Sequence, residues 1–177
     1  PTTILDHDPN QIEGARRFGY RVYFGDSSRS DILHAAGAEQ ARILIVAVDD
    51  PEHSLATVDM AKKHFPQLTI LARSRDIHHS LELMKRGVTL FQREMQESAL
   101  RLGEEILKQL GHGAYQAKQM AHIFREYEHD LLMELYRDAS QERHISLANQ
   151  AREELARILA ADEEERQRYR DRAWGEK

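Results

Sequence analysis

The stretch RILIVAVDDPEHSLATVDMAKKHF, residues 42–65, decides the fold. Its first part, Arg42 to Val48, is an apolar, β-branched run with no polar alternation, the pattern of a strand buried on both faces. Asp49 and Asp50 end it. Pro51 then opens a helix at its first turn, where the missing N–H costs nothing, and the helix runs to about Phe65. The same unit recurs on either side. Downstream, Leu68 to Ala72 reads as a buried strand. Ile77 to Arg86 reads as a helix with Leu81, Leu83 and Met84 inward, Gly87 caps it, and Val88 to Phe91 is a short strand. Upstream, Thr2 to Leu5 is a strand that ends in the turn Asp6–His7–Asp8–Pro9. A helix over about Asn10 to Phe18 carries Ile12, Ala15 and Phe18 at helical spacing and stops at Gly19. Tyr20 to Phe24 is a strand, Gly25 to Ser28 a turn, and Asp31 to Ala36 a short helix ended by Gly37. Strands and helices alternating at this length predict an α/β fold with a right-handed, Rossmann-like parallel sheet.

Composition narrows the function. Of 177 residues, 41% are hydrophobic and 31% charged, enough for one moderate core. Lys and Arg number 25 against 30 Asp and Glu, a net charge of −5 with His neutral. That balance speaks against nonspecific nucleic-acid binding. There is no cysteine, which excludes disulfides, thiolate nucleophiles and sulfur-ligated metals. No apolar run approaches the roughly 18 residues of a membrane span, and the opening PTTILDHDPNQ has neither the basic nor the apolar region of a signal peptide.

The pattern changes after Glu94. Leu100, Ile106, Leu107 and Leu110 mark a helix that stops at Gly111–His112–Gly113. A longer helix, about Ala114 to Tyr136, sets Ile123, Tyr127, Leu131 and Leu135 on one face. That stripe is too long for the core of a small half-sheet. It either serves a partner helix or subunit or packs back on its own domain, and the sequence alone leaves both open. From Gln141 to Lys177 the chain is charged and helical in pattern. Ala148, Ala151, Leu155 and Ile158 form a short apolar seam, and Glu153/Arg157, Asp162/Arg166 and Glu164/Arg168 stand four apart. The expected organisation is a nucleotide-binding domain over 2–110 and a helical extension over 111–177.

In doubly wound sheets, ligands bind beyond the carboxyl ends of the strands, and an acid there accepts hydrogen bonds from ribose hydroxyls. Asp6, Gly25–Asp26 and Asp49–Asp50 end three successive strands and outline one polar rim. Asp6, His7, Asp26, Ser27 and Asp49 form the candidate nucleotide set. Asp50, just before Pro51, reads as a helix cap. A dinucleotide fold carries its Gly-rich phosphate loop about 20 residues before the ribose acid. Asp6 has five residues before it, so the loop and a first strand are expected upstream of Pro1. The alternative is that Thr2 to Asp6 is the true first strand and Asp6 only a cap. His78 and His79 are neighbours on a helix and diverge, and His122 and His129 lack a third ligand, so no metal site is expected. Arg73, Arg75 and Arg93 lie at or after two adjacent strands. They fit a bidentate grip on a carboxylate ligand, although local sequence favours pairing with nearby acids. No nucleophile–base constellation appears, and no enzymatic activity is expected.

The segments TILDHDPNQIEGARRFGYRVYFGDSSRSDIL, AAGAEQARILIVAVDDPE, HFPQLTILARSRD and GVTLFQREMQESALRLG resemble the regulatory domain of bacterial Kef-type potassium efflux systems, glutathione-gated potassium/proton antiporters. The likeness covers about residues 2–136 and weakens in the charged tail. It implies a nucleotide-binding domain of the KTN/RCK (TrkA-N) type, at the cytoplasmic face of the bacterial inner membrane, gating its own membrane antiporter domain. It further implies AMP or NAD(H) as bound nucleotide, closure by glutathione, opening by glutathione adducts, and in some members a flavoprotein ancillary subunit. Asp6 and Asp26 match the family's adenosine-binding acids. Arg93 matches a glutathione-contacting arginine, and Phe18 an aromatic that bulky adducts displace. The helix AHIFREYEHDLLMELY matches the one that crosses to the other subunit, which implies a homodimer through Ile123 to Leu135. Glutathione-binding members carry Asn where this chain has Glu128. A carboxylate there suits the ligand's ammonium group and repels its carboxylates. The runner-up readings are a nucleotide-gated subunit of another potassium transporter and a fragment of an NAD-dependent oxidoreductase, the latter without a visible base or substrate domain.

Overall fold

A computed structural model describes residues 2–137 and, further on, 146, 149–150, 152–157 and 160. The elements are β1 (Thr3–Asp6), α1 (Pro9–Arg17), β2 (Arg21–Phe24), α2 (Ser30–Ala35), β3 (Ile43–Val46), α3 (Pro51–His64), β4 (Thr69–Ser74), α4 (Ile77–Lys85), β5 (Leu90–Arg93), α5 (Gln96–Gln109) and α6 (Ala114–Arg137). Ala148, Ala151, Ile158, Asp162, Arg166, Glu164 and Arg168 of the expected tail lie outside the described residues. Of the tail's expected pairs, Arg157 and Glu153 are described and stand 3.9 Å apart.

The chain forms two compact units, parted between Glu94 and Met95. The division falls before α5, earlier than the expected boundary at 110, because α5 packs on α6.

In the first unit every strand pair is parallel. β1 pairs β2 in the register Thr3↔Arg21 to Asp6↔Phe24. β4 lies between β3 and β5, with Ile45 opposite Leu71 and Leu71 opposite Leu90. The expected single sheet is thus two ladders, β1-β2 and β3-β4-β5. They match the outer and inner strands of the doubly wound order on either side of its central strand, which has no counterpart among the described residues.

The core lies on one face of β3-β4-β5. Val46, Ile70 and Ala72 bury against Val58 and Ala61 of α3, Leu83 of α4, and Leu33, Phe65 and Val88. Val58, Ala61 and Leu83 are fully enclosed. The pleat sends alternate residues the other way. Ile43 and Ile45 are 56% and 69% exposed, and Leu90 is 51% exposed. The run expected to be buried on both faces is therefore buried on one.

Three strands, β1, β3 and β4, lead into a helix whose first turn is held by an aspartate. Asp8, Asp50 and Asp76 accept from the backbone N–H of Asn10, His53 and His79 at 2.8 Å each, satisfying donors that a helix start leaves open. Among the described residues no helix is long and apolar enough to cross a membrane.

Candidate functional site

The parallel ladders bring their carboxyl ends, and the turns that follow them, to one edge. Asp6 is the last residue of β1, opposite Phe24 of β2. Gly25 donates its N–H to the Asp6 carbonyl at 3.0 Å, which fixes the Gly25–Ser28 turn beside it. A Cβ on Gly25 would meet Ile32 Cγ2 at 2.8 Å, so a side chain there requires the Ile32 side chain to shift.

The two acids share one local geometry. Asp6 Oδ1 accepts the Asp8 N–H at 2.8 Å, and Asp26 Oδ1 accepts the Ser28 N–H at 2.8 Å and the Ser28 hydroxyl at 2.6 Å. Both are turns in which an aspartate binds the backbone two residues on. One oxygen of each carboxylate is thereby fixed. The other has no hydrogen bond among the described residues. The side chains are 34% and 47% exposed, so both free oxygens are open to a ligand donor. The Ser28 hydroxyl and N–H hold the Asp26 carboxyl below its ordinary range, with His53 adding to the effect. The site offers two oriented acceptors, which suits hydroxyl or amino donors and not an anion.

α3 closes the Asp26 side. His53 Nε2 lies 2.8 Å from Asp26 Oδ1 and 3.4 Å from Ser27 Oγ. Thr57 Oγ1 lies 3.1 Å from Ser27 Oγ and donates to the His53 carbonyl at 2.9 Å. The Asp–His–Ser grouping is not a hydrolytic triad. There the acid and the nucleophile use opposite ring nitrogens, whereas here both meet Nε2. The sequence reading missed His53 and Thr57. The available signal was that His53 occupies the third helical position after Asp50, at the same strand-end edge.

The remaining expected residues separate. His7 is largely exposed and 4.0 Å from Asp6. Asp49, 92% exposed, pairs with Arg73. Arg73 also donates to the Ala47 carbonyl at 2.9 Å and lies 3.4 Å from Glu94. The favoured reading of pairing with nearby acids therefore describes Arg73, whose guanidinium ties the ends of β3 and β5. Arg75 is exposed. Arg93 ends β5, half-buried. Phe18 caps α1 and is 83% exposed. In the second unit, Glu128 Oε2 accepts from Gln96 Nε2 at 3.0 Å, and Arg125 grips Glu97 with two bonds of 2.9 and 2.8 Å. A shallow groove of about 390 Å³ in this unit is lined by Glu104, Tyr115, Lys118, Gln119, His122 and Arg125. Among the described residues no cluster of His, Asp and Glu is arranged to hold a metal.

Comparison with known proteins fits this arrangement. Residues 1–91 match the TrkA-N domain family, and residues 98–173 match the C-terminal domain of the potassium efflux system KefB. A solved structure from Shewanella denitrificans, a Kef C-terminal domain in AMP-bound form, is 40% identical. The match covers 76% of this chain and 82% of that one, with a TM-score of 0.70. The chain belongs to the Kef regulatory-domain family, built on a TrkA-N domain. The glutathione-regulated potassium-efflux protein KefC of Salmonella arizonae is 44% identical over 132 residues, 75% of this chain and 21% of that protein. This chain thus spans about a fifth of the length of such curated relatives. The TrkA-N domain of the inner-membrane protein ybaL from Escherichia coli shares the fold at 22% identity, with a TM-score of 0.54 over 60% of this chain and 78% of that one.

Proposed function

We propose that this chain is the cytosolic regulatory domain of a potassium/proton antiporter, that it holds AMP on the Asp6–Asp26 rim, and that it gates potassium efflux in response to glutathione and its adducts. The observation that carries the reading is the pair of aspartates at adjacent strand ends, each with one oxygen fixed and one free. Two oriented carboxylate acceptors match the vicinal hydroxyls and amine of an adenosine. The AMP in the Shewanella relative supports AMP over NAD(H) as the nucleotide.

Glutathione contacts are assigned to Arg93 and Glu128, with Phe18 as the residue that an adduct's bulk displaces. The 83% exposure of Phe18 supports that role, because a ring so little packed moves at small cost. Glu128 engages Gln96, so its carboxylate is already partly satisfied, which weakens its pull on a ligand ammonium. Gating requires only that glutathione and its adducts differ in affinity for the closed and open states.

Calorimetry on the full natural polypeptide tests the reading. AMP is expected to bind, and Asp6→Asn to weaken it about tenfold, the scale of one charge-assisted hydrogen bond. Glutathione is expected to bind the AMP-loaded protein. Binding of NADH in preference to AMP, or of neither, overturns the nucleotide assignment. Binding of AMP with no response to glutathione or an adduct favours a nucleotide-gated transporter subunit instead.

A further inference from the structure

We propose that His53 is a positioning residue for the nucleoside: by fixing Asp26 Oδ1 it aims the second oxygen, Oδ2, at the ligand. The proposal rests on the adenosine reading of the rim and adds a residue to it. Three donors converge on Asp26 Oδ1, from the Ser28 N–H, the Ser28 hydroxyl and His53 Nε2 at 2.8, 2.6 and 2.8 Å. Ser28 alone already closes the turn, as Asp8 closes the matching turn at Asp6 with a single bond. The third donor is therefore not needed for local folding. It comes from a different element, and it removes the remaining freedom of the Asp26 side chain about its last torsion. Oδ2 is left as the acceptor.

The turn of α3 that carries the ring is itself held. The His53 N–H goes to the Asp50 cap, the His53 carbonyl accepts from Thr57 Oγ1, and Thr57 also meets Ser27 Oγ. The imidazole is 28% exposed, and its Nε2 faces Asp26 Oδ1 and Ser27 Oγ. A carboxylate oriented before the ligand arrives loses less side-chain freedom on binding, and affinity rises by that amount. Gln places an amide N–H where His53 presents Nε2–H, so it keeps the donor without the ring.

The test measures AMP and adenosine affinity on the full natural polypeptide carrying His53→Ala or His53→Gln, beside the unmodified protein, with the ligand-free melting temperature as companion. His53→Ala is expected to weaken AMP about tenfold and adenosine by the same factor, because Asp26 reads the nucleoside. His53→Gln is expected to restore affinity to within about twofold. If His53→Ala fails to fold, the Gln variant decides: a loss of about tenfold there overturns the proposal. Equal affinity for the Ala variant and the unmodified protein overturns it too, as does an equal loss for Ala and Gln. Failure of the unmodified protein to bind AMP or adenosine strikes the adenosine reading itself.

Discussion

His79 shows how far a single residue can be read. The sequence places it next to His78 on a helix and says only that the two rings diverge. In the structure it is 3% exposed, and its Nδ1 accepts the Arg75 N–H at 3.2 Å. That bond assigns the neutral tautomer with the proton on Nε2, a nitrogen that has no partner among the described residues. Burial, the largest cause, pushes the His79 pKa down, against a smaller pull upward from Asp76. The unfolded chain therefore takes up a proton more readily than the folded one. Stability is full above the ordinary histidine pKa of about 6.5 and falls as pH drops below it toward the lowered folded value. A second proton would also land on Nδ1, facing the Arg75 donor. Urea unfolding at pH 7.5 and pH 5.5 is expected to show the loss, at a slope of no more than about 1.4 kcal/mol per pH unit for one proton. His79→Gln is expected to remove the pH dependence in that window. An unchanged slope in the variant assigns the effect to another group. Glu82 acts in the same direction at lower pH. Lys85 and Arg86 hold its pKa down to about 2, so the stability it adds is present above pH 4.5 and is lost only as pH falls toward 2.

Among the elements, the alternation of strand and helix was legible because each is specified locally, by an apolar run, a proline at the first helical turn and a glycine after the last. Gly87 illustrates the stop signal: its φ of +69° is open to glycine at little cost. What could not be read was which strands pair, since two ladders and one share the same local pattern. Nor was it legible that α3 reaches the β2 turn through His53 and Thr57, or that Arg73 takes Asp49, because residues more than twenty positions apart in sequence meet only after folding. Aspartates at strand ends were the hardest to divide. Asp50 reads as a cap, and it is one. Asp6 and Asp26 have the same surroundings in sequence, yet they bind turns, not helix starts. Mutation separates the classes. Asp76→Ala removes the cap of α4, whose bond to the His79 N–H is 2.8 Å, and is expected to cost about 1 kcal/mol in urea unfolding while leaving AMP affinity unchanged. Asp6→Asn keeps an acceptor for the Asp8 N–H and is expected to leave stability nearly unchanged while affinity falls. If both variants lose stability alone, the division between capping and ligand-binding aspartates fails.

At the scale of the molecule, the family matches and the structure divide the chain at the same place. The TrkA-N match ends at residue 91, the KefB C-terminal match begins at 98, and the units part between Glu94 and Met95. The rim belongs wholly to the first unit, so what the second unit contributes must be sought in its own surface. Its longest element, α6, turns Ala117, Met120, Ala121 and Leu132 inward. Ile123, Tyr127, Leu131 and Leu135 are only half-buried, and Leu102 and Ile106 of α5, with Leu110 that caps it, stand 51–69% exposed. Apolar surface of this extent suits a second copy of the chain, and we propose the Ile123–Leu135 stripe as its contact. A charge on that stripe is tolerated in a monomer and opposed in a dimer, where it is desolvated without a partner at a cost of several kcal/mol. Leu131→Glu is therefore expected to convert a dimer to a monomer in sedimentation velocity, with helix content by circular dichroism unchanged. AMP binding should survive, because the proposed rim, Asp6 and Asp26, lies in the first unit. A dimer that persists in Leu131→Glu moves the interface elsewhere. A monomeric unmodified protein removes the dimer from the proposed mechanism.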